Sequence, residues 1–319
     1  PVTSDTIVGY SALTKQVIVT DDAYGIPATL PYHFNAFFDK ENNYRSVSIL
    51  TIPLLTSNDV LVGVLQLINA KDEHGKTTVF SEHSKTMTSL FANNAAMSIE
   101  RAMLNRELIL RMVKMAELHD PQETGPHVQR VSAFSVEIYQ HWAEKKNLPA
   151  ATIKHFRDLI SLASMLHDAG KVGITDNILN KPAELTEDEF DTIKKHTIYG
   201  ARLFTNGSSE LDEMVRDVTL HHHEKWNGEG YPGRRAEPKD TGQGIPLTGE
   251  EIPLAARIVA LADVFDALCS SRSYKESWNR EKVYETIRRE SGNHFDPELV
   301  QVFFEITDII EAIQKKFHE

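Results

Sequence analysis

Between His83 and Leu118 the chain contains neither proline nor glycine. These are the two strongest helix breakers, so the run predicts one long helix over 81–118. Stepping from Leu90 by four and three in alternation picks out Leu90, Asn94, Met97, Arg101, Leu104, Leu108, Arg111, Met115 and Leu118, and six of these nine are apolar. That is an interrupted heptad. It suits a helix packed on its own domain and a helix paired with a second copy of the chain equally well. The sequence differs in character on its two sides. Residues 1–80 carry β-branched apolar segments broken by turn residues: KQVIVT (15–20), RSVSILTIPLL (45–55) and DVLVGVLQLINA (59–70), with TSND as a hairpin loop between the last two. Beyond residue 119 helical periodicity dominates and the loops carry glycine and proline: DPQETGPH (120–127), LNKPAELTEDEF (179–190) and NGEGYPGRRAEPKDTGQGIPLTGEEIP (227–253). Thr186, with Glu189 three residues on, reads as a capping box. The 319 residues suggest two domains on a prior of roughly 150 residues each.

Composition narrows the function classes. Hydrophobic residues make up 41% of the chain, enough for two cores. No apolar stretch approaches the ~20 residues that span a bilayer. The N-terminus lacks the basic-then-apolar pattern of a signal peptide, and its abrupt start reads as that of a fragment. A formal net charge of −12 argues against sequence-independent binding of DNA or RNA, which depends on Lys and Arg neutralising phosphates. It leaves room for a small anion held by a local basic cluster or by metal ions. The single cysteine, Cys269, excludes an internal disulfide framework and a thiolate metal site, and fits a reducing cytoplasm. The oddity is the 14 histidines. Poor in thiols and rich in imidazoles is the composition of an imidazole/carboxylate metal site.

Ligand-type residues recur in the helical half. Glu123 and His127 are four apart and share a face if helical. His167-Asp168 follows the apolar run LISLASML, His196 lies in KKHTIYGARL, His222 and His223 precede Glu224, and Asp263 follows ARIVALA. A polar group at the end of an apolar helix is costly unless it is paired or bound to metal. Each residue alone reads as a hydrogen-bonded core histidine or a helix-capping aspartate. Together the five imidazoles and three carboxylates exceed one ion's capacity, which implies two or more ions and at least one bridging carboxylate. Mixed N/O ligation favours Fe or Mn, leaves Zn possible and disfavours Mg alone.

Two family resemblances sharpen this reading. YRSVSILTIPLLTSNDVLVGVLQLINAKD, with TDDAY before a Pro-containing loop and Phe80 opening the long helix, resembles the GAF sensory domain over roughly residues 7–100. The family's first strand or two are missing. The resemblance implies an antiparallel sheet with helices and a sensor role. Asn69-Ala70-Lys71 and Phe80-Ser81-Glu82-His83 depart from the cyclic-nucleotide-binding signature of that family, so no cyclic nucleotide is assigned, and a GAF domain used for dimerisation is an equal reading. His167-Asp168-Ala169-Gly170-Lys171 and the run HHHEKWNGEGYP (221–232) resemble the two defining motifs of the HD-GYP domain, a metal-dependent phosphodiesterase of the bacterial messenger cyclic di-GMP. DPQETGPHVQRV, IVALADVFDAL and SSRSYKES support it, and the match covers about residues 107–317. Asn227 stands where the family commonly has Asp.

The second resemblance implies roles by position. His127, His167, Asp168 and Asp263 match the basic HD ligand set. His196, His222 and His223 match the ligands of a second ion, with Asp168 as the bridge. Glu123 matches the extra carboxylate of members that hold a third ion. His221 falls outside the set. Lys171 would reach the phosphate or leaving oxygen, Arg272 and Lys275 a phosphate together, and Tyr231 the substrate pocket, unless the Gly-Tyr-Pro loop serves a protein partner. The expected chain is thus a GAF-like α/β unit (1–100) ending in a linker helix (81–118), then an all-α HD-GYP unit (107–319). It would be a cytoplasmic bacterial homodimer pairing through the first unit and the helix, hydrolysing cyclic di-GMP to pGpG and GMP with two or three divalent ions. Alternatives are another cyclic dinucleotide such as cyclic GMP-AMP, or a catalytically silent interaction module. A helix joining sensor to effector could transmit a change of pitch or register.

Overall fold

The computed structural model describes residues 2–119, 125–205, 207–234, 244–270 and 279–317. Its chain divides into two compact units, Pro1–Leu108 and Ile109–Glu319. Glu123, Arg272 and Lys275 lie outside the described residues.

The first unit contains α1 (Ile7–Thr14), β1 (Ile18–Thr20), α2 (Phe37–Glu41), β2 (Ile49–Leu55), β3 (Leu61–Ile68), β4 (Ala70–Lys71) and β5 (Thr77–Thr78), followed by the start of α3 (Glu82–His119). β1, β2 and β3 form an antiparallel sheet in that order, with Ile18 opposite Thr51 and Ile52 opposite Leu65. The expected strands are present but shorter: β1 covers only the end of 15–20, and β2 begins four residues into 45–55. β2 is buried along nearly its whole length because the two-residue period of a strand feeds two layers. Leu50, Ile52 and Leu54 pack with Phe80 and with Ala92 and Ala96 of α3, whereas Ile49 packs with Ile7, Ile18 and Ala23. An apolar run without alternation is what a doubly covered strand requires.

The long helix appears at Glu82–His119, within a residue of expectation at each end. Two stripes on it now separate. Thr88, Ala92, Ala96 and the half-buried Ile99 are the positions covered by the first unit. Leu90, Met97, Leu104, Leu108 and Met115, all on the heptad seam, are each at least half exposed. The seam is therefore not what holds the helix to its own domain.

The second unit is helical, with α4 (Gly125–Lys145), α5 (Ala150–Ala163), α6 (Asp176–Leu179), α7 (Glu187–Lys194), α8 (His196–Leu203), α9 (Glu210–His221), α10 (Leu254–Cys269), α11 (Arg280–Arg289), α12 (Pro297–Glu305) and α13 (Thr307–Lys316). Thr186 and Glu189 form the expected capping box at the start of α7. α10 is apolar but for Arg257, Asp263 and Asp266, and it lies at the centre, packed against α4, α9, α11 and α12. Ala255, Ala256, Ile258, Val259, Ala260, Leu261, Ala262 and Phe265 are all buried along it. Phe265 meets Phe134 of α4 at 5.3 Å and Phe303 of α12 at 4.9 Å, both edge to face. Asp263 was expected at the end of this apolar helix. It lies inside it instead, because α10 continues to Cys269. No helix among the described residues is long and apolar enough to cross a membrane.

Phe134 is wholly buried in this cluster. Phe134→Ala removes a ring from a packed site and leaves a cavity, so the helical unit should lose about 3–5 kcal/mol of unfolding free energy. Urea titration of wild type and variant, with equal slopes, checks this.

Candidate metal centre

Five helical elements deliver side chains to one place in the second unit. His127 stands on the first turn of α4. After α5 the chain tightens into a 3-10 turn at Ser164–Leu166, and His167 and Asp168 follow it. His196 opens α8, His222 caps the end of α9 with His223 next to it, and Asp263 comes from α10. Gly170 explains how the first of these segments can approach α8. A Cβ on it would sit 1.9 Å from the His196 carbonyl oxygen and 2.3 Å from the Gly200 nitrogen. Only glycine lets the two backbones touch, and that contact brings Asp168 against His196.

The side chains gather into two clusters whose donor atoms lie within 4.8 Å of one another: Asp168, His196, His222 and His223 in one, His127, His167 and Asp263 in the other. Asp168 Oδ1 lies 3.1 Å from His196 Nε2 and 3.5 Å from His222 Nε2. Its other oxygen, Oδ2, lies 3.2 Å from His167 Nε2, so this carboxylate touches both clusters. Asp263 Oδ1 lies 3.6 Å from His127 Nε2 and 3.9 Å from His167 Nε2. All seven sequence-derived residues within the described part of the chain are thus brought together.

The ring tautomers follow from the partners. His167 Nδ1 lies 2.8 Å from the Ser164 carbonyl, His196 Nδ1 2.7 Å from the Ile193 carbonyl and His222 Nδ1 3.0 Å from the Val218 carbonyl. His127 Nδ1 lies 2.8 Å from Asp266 Oδ2. Carbonyl and carboxylate oxygens only accept, so each Nδ1 carries the proton and each Nε2 presents a lone pair. Four Nε2 lone pairs and two carboxylates therefore face one another at 3–4 Å. Acceptors crowded in this way are stable around cations, and the donor set fits a metal site typical of the HD fold.

The charges agree. Burial alone would raise the Asp168 carboxyl, but the Lys171 and His167 charges and its hydrogen bonds outweigh that and hold it well below the usual range. Burial pushes His223 well below the ordinary imidazole value, with the neighbouring His222 and His196 adding to it. His222 is lowered by burial too, against the opposing pull of Asp168. Asp168 is thus favoured as a carboxylate and His222 and His223 as neutral imidazoles, the forms in which such groups bind metal. Cys269 contributes nothing of this kind, since burial pushes its thiol up to about 11.

Around the clusters the remaining expectations find their places. Lys171, in the 3-10 segment Ala169–Gly173, places its Nζ 3.0 Å from Asp168 Oδ2. The Tyr231 ring lies over that of His223, with centroids 4.9 Å apart, and burial raises its phenol. His221 stays outside both clusters, with its Nδ1 3.4 Å from Glu224 Oε1, and lines a separate cavity of about 290 Å³. Asn227 bonds its own loop, receiving the Glu229 amide at 3.0 Å, and reaches neither cluster. The Gly-Tyr-Pro loop is folded back onto the end of α9: Tyr231 N–H donates to the His223 carbonyl at 3.2 Å, and Gly233 N–H to the buried Glu224 carboxylate at 2.6 Å.

Three of these contributors escaped the sequence reading: Glu224, Asp266 and Arg130. The last two carried a usable signal. Arg130 follows His127 by three and Asp266 follows Asp263 by three, so each shares a helix face with a ligand-type residue.

Residues 111–299 match the family model of the HD domain, and residues 1–99 that of the GAF domain. Over 259 residues the chain is 32% identical to the 3'3'-cGAMP-specific phosphodiesterase 2 of Vibrio cholerae, covering 76% of this chain and 46% of that one. Over 223 residues it is 36% identical to a probable cyclic di-GMP phosphodiesterase of the same species, covering 65% and 46%. A cyclic di-GMP phosphodiesterase of Thermotoga maritima is 35% identical over 205 residues, 63% of this chain and 50% of that one. The chain spans about half the length of the curated relatives it matches. The HD model covers more than half of the chain and the GAF model lies on its N-terminal side, and the chain belongs to the HD-domain family, as an HD-GYP-type member with an N-terminal GAF domain.

Proposed function

We propose that the chain is a metal-dependent phosphodiesterase that opens cyclic di-GMP to linear pGpG and cleaves that to GMP, under the control of its GAF domain. The observation that carries this reading is the pair of carboxylate–imidazole clusters sharing Asp168. In this reading His127, His167, Asp168 and Asp263 hold one divalent ion. His196, His222 and His223 hold another, with Asp168 as the bridge, and Glu123 supplies a ligand to a third. Thiol-free N/O ligation favours Fe or Mn. When bound, such ions neutralise the non-bridging phosphate oxygens and make water acidic enough to attack near neutral pH.

The chain's own residues do the rest. Asp168 stays ionised and holds the two ligand sets against each other. Lys171, at the rim beside Asp168, brings a cation to the phosphate or to the leaving oxygen. Tyr231 walls the His223 side of the site. Arg272 and Lys275 take one phosphate of the cyclic dinucleotide together. A second reading, 3'3'-cGAMP as substrate, is favoured by the Vibrio cholerae relative named for that specificity, which aligns over 259 residues.

Anaerobically loaded Mn or Fe protein should hydrolyse cyclic di-GMP in a parallel assay with 3'3'-cGAMP. Turnover of 3'3'-cGAMP alone selects the second reading, and turnover of neither rejects both. Lys171→Met should lower kcat/KM about 10²–10³-fold, the range for removing one group that stabilises transition-state charge, while leaving the bound metal unchanged. An unchanged cellular effect of Asp168→Ala would instead mark a silent interaction module.

The exposed seam of α3 supports pairing with a second copy of the chain. Leu104 and Leu108 are each more than half exposed in the single chain. Replacing both with Glu would place buried charge in such a seam, so Leu104→Glu/Leu108→Glu should shift a dimer to monomer in sedimentation at micromolar concentration.

A further inference from the structure

Asp266 is wholly buried on α10, one turn beyond Asp263. Its Oδ2 lies 2.8 Å from His127 Nδ1 and accepts from Arg130 Nη2 at 3.0 Å, while its Oδ1 accepts from Arg130 Nε at 2.7 Å. Ser270 Oγ lies 3.4 Å from the same Oδ2. Arg130 is itself fixed, because its Nη1 donates to the Phe317 carbonyl at 2.9 Å where α13 ends. The fork of Arg130 therefore holds the carboxylate bidentately, a geometry that leaves it little freedom to turn.

We propose that Asp266, clamped by Arg130, is the positioning residue for His127: it fixes this ring in the Nδ1–H tautomer and turns Nε2 toward the cluster with His167 and Asp263. His167, His196 and His222 aim Nδ1 at backbone carbonyls three or four residues earlier in the chain, which are neutral. His127, on the first turn of α4, does otherwise. A side-chain acceptor from another helix takes that place. Because it is an anion, it also makes the ring a better electron-pair donor, and it keeps the buried Arg130 cation neutralised. One carboxylate thus joins α4, α10 and the end of α13 to the ligand cluster.

The chemistry of Asp266→Asn follows. Arg130 presents only donors, and so does His127 in the required tautomer. An amide offers one acceptor and one donor. If the amide oxygen serves Arg130, its NH₂ faces His127 Nδ1, which must then accept and place its proton on Nε2, where the metal would bind. If it serves His127, NH₂ collides with the guanidinium donors.

This inference rests on the metal-site reading above, and the following measurements separate the two. Metal-free protein is titrated with Mn²⁺ in competition with a chelator. Wild type should take up two or more ions. Asp266→Asn should bind one of them 10–100-fold more weakly and leave the ion of the Asp168–His196–His222–His223 cluster unchanged. Wild type that binds no Mn²⁺ sinks the metal-site reading itself. Two wild-type affinities in Asp266→Asn, with a lowered melting temperature of the metal-free protein, make Asp266 a purely structural partner of Arg130 and overturn the inference. Should the variant not fold, the Zn²⁺-loaded wild type decides. Its histidine ¹⁵N spectra should show His127 bound through Nε2 with a protonated Nδ1, and binding through Nδ1 overturns the inference.

Discussion

The helical unit is organised around one electrostatic necessity: imidazoles and aspartates share a buried space with their acceptor atoms facing inward. Such a set holds its shape only if each ring proton is committed outward. Ser164, Ile193 and Val218 supply backbone carbonyls for that purpose, each three or four residues before its histidine in the chain. The same three- or four-residue spacing that builds a helix therefore sets the tautomer. His222 illustrates it: as the residue capping α9, it lies where the last carbonyls of the helix lack amide partners, and its Nδ1 meets one of them.

The core and the site are not separate layers. α10 supplies the most completely buried apolar run of the unit and also Asp263 and Asp266. Apolar packing of Phe265 against Phe134 and Phe303 locks the helix about its axis. The two aspartates on its other face inherit that rotation. A carboxylate in such a place costs several kcal/mol unless paired; Asp266 is paired with Arg130, whereas Asp263 faces the Nε2 lone pairs of His127 and His167, an arrangement that a cation would stabilise. Rigid apolar contacts and costly polar contacts therefore specify one geometry.

Much of this was legible in the sequence because it depends on residue type and short spacing. The break-free run announced α3, the β-branched apolar segments announced β2 and β3, and the histidines of HD and HHHE were conspicuous in a thiol-poor chain. What stayed hidden depends on distances across the fold. The sequence places His127 and Asp266 139 residues apart, and nothing local says that they touch. Glu224 reads as part of a motif, but its grip on the Gly233 amide needs the loop's path. The seam on α3 was ambiguous for a different reason: a heptad says that a stripe is apolar, not what covers it. Only the alanines at 92 and 96, buried on another stripe, separate the two.

The same reasoning locates substrate choice outside the clusters. Cyclic di-GMP and 3'3'-cGAMP present the same phosphodiester ring, so ligands that act on phosphate oxygens and water treat them alike. They differ in the hydrogen-bonding edge of one purine. A polar pocket built for one edge rejects the other strongly, because its buried donors and acceptors are left unpaired. Under the proposed function, the groups that choose would lie about a base's length from Asp168. Relatives named for either messenger align with this chain at about one-third identity, so overall identity does not decide between the two bases.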